Sequence, residues 1–236
     1  MHTKGYPHDI KSTISYLARD QLWSREKPYI ADFAVPEGAA LSNQIIKKEH
    51  VTIYDLRGQN GFCLISVASR LTATEALHDP RACEARYFDE VNAALRGQFP
   101  EYRRFECIDL TVRKREPTFP WEGEEKRFDL LNIWRPLQGP NDDWPLAICD
   151  GLTVSSQDVR DSDVIHYNQI GENSLLHSNE QHRWYYLSGQ ATDECLVFRN
   201  VSSDPQNKRA FHAAFYNPRS NGEARVSAEV RVLAFF

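Results

Sequence analysis

The residues best placed to do chemistry lie near the end of the chain. His212 stands in the run Phe211-His-Ala-Ala-Phe, and Arg225 and Ser227 follow 13 and 15 residues later. A guanidinium can grip a carboxylate or enolate through two parallel hydrogen bonds, a serine hydroxyl adds a donor, and an imidazole can move a proton. Between them Asn217-Pro218 and Asn221-Gly222 are turn dipeptides. A histidine strand turning back into an Arg-x-Ser strand would form half of a small-acid pocket in a β-barrel enzyme. The competing reading is an edge strand whose polar face is merely solvated and salt-bridged.

The elements that must hold these groups are strands. From Ala224 to Phe236 the sequence alternates, with Ala224, Val226, Ala228, Val230, Val232 and Ala234 on one face. Arg225, Ser227, Glu229 and Arg231 fall on the other. Short strands are also expected at Val51–Asp55, Phe62–Val67, Phe105–Arg115, Phe128–Trp134 and Pro145–Cys149. More follow at Asp163–Tyr167, Ser174–His177, Arg183–Leu187 and Cys195–Arg199, the spacing of a sandwich or barrel. The first two of these strands read as a hairpin around Arg57-Gly-Gln-Asn-Gly. The polar start suggests a short helix through Ser12–Leu22. The strongest helix runs from an Asp79 cap and Pro80 to Gly97, with Ala85, Phe88, Val91 and Leu95 as its buried stripe. Asn132 and Trp134 share a strand face, and Trp134-Arg135 is an aromatic–cation pair, the make-up of a small-molecule pocket.

Composition narrows the function. At 236 residues, 41% hydrophobic, the chain fits one all-β or α/β domain, two domains being possible but not required, and the strand pattern favours a mainly β fold with a few helices. A net charge of −5 argues against a general nucleic-acid or membrane-surface binder. No apolar run reaches the ~20 residues of a bilayer span, and no secretory leader is visible, so a cytoplasmic location is expected. Five scattered cysteines without a CxxC pair read as reduced thiols. None of the eight histidines has an acid two residues on, so the HxD signature of a 2-His-1-carboxylate iron site is missing. His182, beside three aromatics, reads as structural. Arg113-Lys-Arg reads as a solvated strand end, with anion binding as the alternative.

Several blocks recur together in one known family. They are Asn132-Ile-Trp-Arg-Pro-Leu, Asp143-Trp-Pro-Leu-Ala-Ile-Cys-Asp, His182-Arg-Trp-Tyr-Tyr, Thr192-Asp-Glu, Phe211-His-Ala-Ala-Phe and Arg225-x-Ser-x-Glu-x-Arg-x-Leu. The chain resembles the fungal and bacterial natural-product hydroxylase/desaturase family, which includes the aspergillic acid cluster oxygenase and the cephamycin methoxylation component. The resemblance implies a double-stranded β-helix, a jelly-roll or cupin-like barrel of the iron and 2-oxoglutarate oxygenases. It also implies that His212 matches the distal iron-ligand histidine and Arg225 with Ser227 the acid-gripping pair. The chain departs from the family between Arg113-Lys-Arg and Asn132, where only Glu116 to Arg127 stand and no histidine occurs. Asp109-Leu110-Thr111 replaces an Asp-His-Thr pattern.

The expectation is therefore a family member without its metal and without a cofactor. It is read as a single barrel domain over 1–236, with a hairpin and helix in 1–100 packed on a barrel core in 101–236. Its activity is expected to be a metal-independent cyclisation or cycloaddition, a pericyclase of hetero-Diels–Alder type, on a polyketide- or terpenoid-like small molecule. His212 and Arg225 would be catalytic. Ser227, Asn132, Trp134, Arg135, Tyr186 and Phe215 would bind substrate, the aromatics shaping its hydrocarbon side. The alternatives are an Fe(II)/2-oxoglutarate hydroxylase or desaturase with relocated ligands (His166, His177 or His182 beside His212), and a non-catalytic metabolite-binding remnant. Oligomeric state is left open, a homodimer among the options.

Overall fold

A computed structural model describes residues 8–57, 63–112, 127–167, 169–220 and 223–236. The Arg113-Lys114-Arg115 run and nearly all of the short segment after it lie outside the described residues, as does most of the turn expected after Arg57. In chain order the first strands are β1 (Ile10–Leu17), β2 (Tyr29–Ala31), β3 (Ile46–Asp55) and β4 (Cys63–Ser66). The helices α1 (Ala73–His78) and α2 (Pro80–Gln98) follow. Then come β5 (Arg104–Val112), β6 (Phe128–Pro136), β7 (Leu146–Cys149), β8 (Val159–Ile165), β9 (Ile170–Leu176) and β10 (Trp184–Tyr186). The described strands close with β11 (Glu194–Ser202), β12 (Phe211–Ala214) and β13 (Ser227–Phe235).

Two five-stranded sheets carry the fold, ordered β1-β3-β10-β7-β12 and β4-β11-β6-β13-β5. Period-2 alternation sorts their side chains. Leu131 and Ile133 of β6 and Ala228, Val230, Val232 and Ala234 of β13 pack under α2. Trp134 and Leu196 on the opposite face of the second sheet meet Leu146, Ile148 and Leu187 of the first. The far face of the first sheet buries Ile10, Ile14, Ile53, Trp184, Tyr186 and Phe215. The space between the two sheets is thus the inside of the expected jelly-roll barrel. Strands β2, β8 and β9 form a separate small sheet.

The helices follow their caps. Thr72 and Glu75 make a reciprocal capping box on α1, and Asp79 accepts from the Ala82 N–H with Pro80 at the first position of α2. The buried stripe of α2 is Cys83, Tyr87, Val91 and Leu95, rotated from the expected one, and Ala85 is exposed. Tyr87 rather than Phe88 sits deepest because the stripe steps by four residues.

Two expectations fail here. Ser12–Leu22 forms no α-helix: Ile10, Ser12, Ile14 and Tyr16 alternate onto the buried far face of the first sheet along β1, which pairs antiparallel with β3. Only a 3-10 turn at Gln21–Ser24 reaches the end of that range. Nor do β3 and β4 form a hairpin. β4 pairs with β11 in the other sheet, while β3 lies between β1 and β10. A turn signal marks a reversal but not the sheet in which the returning strand finds its partner.

One buried polar cluster fastens the outer layer. The Asp158 carboxylate accepts from Asn179 Nδ2, the Ser155 N–H, His182 Nε2 and Arg19. Burial works against its charge, yet the hydrogen bonds from Asn179, Ser155 and His182 outweigh it and hold its carboxyl below the usual range. Burial pushes the His182 imidazole down, offset only in part by Asp158. Both groups therefore hold protons less readily folded than unfolded. Their contribution is complete above the unfolded values, about 6.5 for His and about 3.9 for Asp, and is lost as pH falls through the folded ones. The melting temperature is expected to decline as pH drops below about 6.5, and His182→Gln to flatten the first part of that decline. An unchanged profile in the variant would assign the loss to other groups.

Candidate active site between the sheets

The polar row of β13 is not solvated at an edge. β13 is central in its sheet, paired with β6 on one side and β5 on the other. Its even residues pack under α2, so Ser227, Glu229 and Arg231 turn inward between the sheets. Ser227 is buried, while Glu229 and Arg231 are half-buried. Asn132 of β6 lies opposite Arg231, and Trp134 opposite Glu229. Asn132 Nδ2 donates to Glu229 Oε1 at 2.6 Å, and Arg231 makes a two-pronged contact with Asp109 of β5. That carboxylate holds the Arg231 guanidinium, raising its pKa further against the opposing effect of burial.

His212 enters from the facing sheet. Phe211 and Ala213 pack into the far-face core, so His212 between them points inward. Its ring meets Phe198 with centroids 4.8 Å apart. Phe198 is the cross-strand partner of Asn132 on β6, and Leu196 that of Trp134. The Arg225 guanidinium lies over the Trp134 ring at 5.7 Å, within cation–π range, and donates to the Trp144 carbonyl. The imidazole and guanidinium thus engage side chains aligned with positions two residues apart along β6, a step of about 7 Å. That step suits a small acid or a carbonyl compound spanning the two.

The lip of this region is strained. Trp144 has a φ of 40°, a left-handed conformation that bulky side chains avoid. It is fastened by Arg225 and by Asp143, whose carboxylate accepts the Arg225 N–H. At the other end, a cavity of about 590 Å³ reaches in to Ile148, Leu196 and Phe198, with Arg199, Lys208 and Arg209 on its rim. Gly151 is required there, since a Cβ would stand 2.1 Å from the Arg209 carbonyl oxygen.

Of the expected site residues, His212, Arg225, Ser227, Asn132 and Trp134 come together on the inward faces. Three do not. Arg135 points the opposite way from Trp134, toward α2. It donates to the Thr192 and Leu71 carbonyls and to Ser69 Oγ, and lies over the Tyr87 ring. Tyr186 and Phe215 meet edge to face in the far-face core, and the Tyr186 hydroxyl donates to the His8 carbonyl. The inward residue of that strand is Tyr185, which pairs with the ring of Tyr54. Sequence reasoning also passed over Phe198 and the Asn132–Glu229 pair. Alternation on β11 signals the first; the second requires the β6–β13 register.

The histidines proposed as relocated ligands are engaged elsewhere. His166 pairs with Asp32, His177 Nδ1 with the Leu17 carbonyl, and His182 with Asp158. Among the described residues no three His, Cys, Asp or Glu side chains converge as metal ligands. A non-haem iron site takes two imidazoles and a carboxylate. Residues 113–126 contain neither His nor Cys, so that stretch of sequence cannot supply a second imidazole. The donors among the described residues do not fit that metal.

Comparison with known proteins gives the scaffold its kinship. A family model described as an oxidoreductase/YMDC permease-like domain matches residues 116–235. The Fe(II)/2-oxoglutarate-dependent dioxygenase nvfI of Aspergillus novofumigatus is 30% identical over 208 residues, 83% of this chain and 73% of that protein. The chain belongs to the fungal dioxygenase-like hydroxylase/desaturase family. Aspirochlorine biosynthesis protein N of Aspergillus oryzae is 36% identical over 116 residues, covering 47% of this chain and 49% of that protein. Hydroxylase/desaturase CTB9 of Cercospora beticola is 29% identical over 127 residues, 48% of this chain and 38% of that protein. The chain thus spans about half or less of the length of aspirochlorine biosynthesis protein N and CTB9. The solved structure of a single-substitution variant of the iron and alpha-ketoglutarate-dependent endoperoxidase NvfI superposes with a TM-score of 0.83. That match covers 99% of both chains at 25% identity. The mainly β, cupin-like architecture is therefore the family's own, and no described helix is long and apolar enough to cross a membrane.

Proposed function

We propose that this chain is a metal-independent biosynthetic enzyme that closes a ring without oxidation. Its reaction is a cyclisation or cycloaddition of hetero-Diels–Alder type on a polyketide- or terpenoid-like small molecule. The observation that carries this reading is the inward face itself: one imidazole, an arginine over a tryptophan, and no second imidazole among the described residues to complete an iron site. In such a step σ bonds replace π bonds within the reactants, with no net electron or proton transfer. Arg225 and His212 donate hydrogen bonds to a substrate oxygen on which negative charge grows, while Ser227 adds a hydroxyl. Trp134, Phe198, Leu196 and Ile148 exclude water and hold the reacting ends close, an effect worth several kcal/mol.

A second reading, an Fe(II)/2-oxoglutarate hydroxylase or desaturase, draws on the His212 and Arg225–Ser227 arrangement and on the Fe(II)/2-oxoglutarate-dependent dioxygenase nvfI as a relative. One experiment separates them. In an extract that supplies the pathway substrate, turnover under nitrogen with a chelator is expected to equal that in air, and added Fe(II) with 2-oxoglutarate to change nothing. Loss of turnover that Fe(II) restores would establish the second reading instead.

A further inference from the structure

We propose that Asn132, held by Glu229, recognises a hydrogen-bond donor, a hydroxyl or N–H, on the molecule bound between the sheets. The inference rests on the ligand-binding reading above and names a chemical requirement of that ligand. Asn132 is 1% exposed, and its Oδ1 has no hydrogen-bond partner among the described residues. Glu229 fixes which amide atom is left over. An ionised carboxylate only accepts, so the 2.6 Å contact must come from Nδ2, and Oδ1 remains a bare acceptor. An unsatisfied buried acceptor is costly, and buried polar groups in folded proteins nearly always have a partner.

The surroundings say what the missing partner is attached to. Asn132 lies on the inward face with Trp134, beside its cross-strand partner Phe198, whose ring meets His212 and borders the 590 Å³ cavity. The neighbouring walls are Leu196 and Ile148. A group that satisfies Oδ1 there is therefore a single donor on an otherwise apolar, ring-bearing molecule, such as a phenol, enol or amide. A site with a buried polar group discriminates strongly against an analogue lacking the matching atom, because that group is then left unpaired. Glu229 acts as a positioning residue, through Asn132 rather than on the ligand.

The test uses 2-naphthol and 2-methoxynaphthalene, matched in ring system and different in the donor. Titration calorimetry on the full chain is expected to show the naphthol binding at least tenfold tighter. Asn132→Leu should bring the two affinities together. Glu229→Gln should keep the preference, since its amide oxygen still accepts from Asn132 Nδ2, whereas Glu229→Leu should reduce it severalfold. Circular dichroism checks each variant, and Glu229→Leu decides if Asn132→Leu does not fold. Equal affinities in the wild type, or a preference that survives both leucine variants, would overturn the role of Asn132 while leaving a ligand-binding cavity standing. Failure of both probes to bind would overturn this inference together with the reading beneath it.

Discussion

Replacing Arg135 with alanine is expected to destabilise the protein by about 3–5 kcal/mol, measured as a shift in the urea midpoint at unchanged slope. The side chain is 3% exposed and spans the layer between β6 and α2. Its guanidinium donates to the carbonyls of Thr192 and Leu71 and to Ser69 Oγ, at 2.7, 3.0 and 3.1 Å. It also lies 5.2 Å from the Tyr87 ring centroid. Truncation removes those donors, leaves the buried Leu71 carbonyl oxygen without its partner and opens a void beside Tyr87. Arg135→Lys should recover only part of the loss, because an ammonium cannot reproduce a planar fork that serves three acceptors. Since the guanidinium is engaged on the helix side of the sheet, ligand affinity of the surviving folded fraction should be unchanged. A variant of normal stability that bound ligand poorly would return Arg135 to the binding site.

That residue also shows where the sequence was readable and where it was not. Pattern placed Asn132 and Trp134 on one face of a strand, and both turn inward. It gave the alternation of β13 and the position of His212, because apolar residues on one side of a strand announce a core. It could not say that the opposite, charged side is also enclosed. An edge strand and a central barrel strand carry the same alternation, and only the pairing of β13 with both β5 and β6 separates them. The errors at Arg135 and Tyr186 are errors of parity. A strand repeats every two residues, so choosing Tyr186 in place of Tyr185 moves the selection from the inside of the barrel to its far-face core. The helix expected near Ser12 failed for a related reason, since Ser12 and Thr13 look polar while Ile10, Ile14 and Tyr16 keep strand spacing. Glu229 was visible in the row, yet its partner Asn132 lies 97 residues away, across a register that no local pattern encodes.

The largest functional effect is expected at Arg225. On the proposed reading, Arg225→Gln lowers kcat/KM by about 10²–10³, the loss of a charged donor to an oxygen that gains charge in the transition state. The loss should fall mainly on kcat, because the contact strengthens as the reaction proceeds. Arg225 has a second duty, however. It donates to the carbonyl of Trp144, whose φ of 40° needs support. A drop in activity could therefore come from a relaxed lip rather than from a missing catalytic donor. Arg225→Lys distinguishes the two. A lysine ammonium can still reach a single carbonyl but lacks the fork that could hold Trp144 and a substrate oxygen together. If Arg225 is catalytic, the lysine variant keeps the melting temperature and near-ultraviolet dichroism of Trp144 while remaining slow. If it is only a brace, the lysine variant recovers both. His212→Ala supplies the cross-check, since its ring contact is with Phe198, aligned two residues away from Trp134 along β6. Its expected loss of about 10²-fold should come without any change at the lip. Unaltered product from both Arg225→Gln and His212→Ala would mean that the inward face binds a molecule but does not transform it.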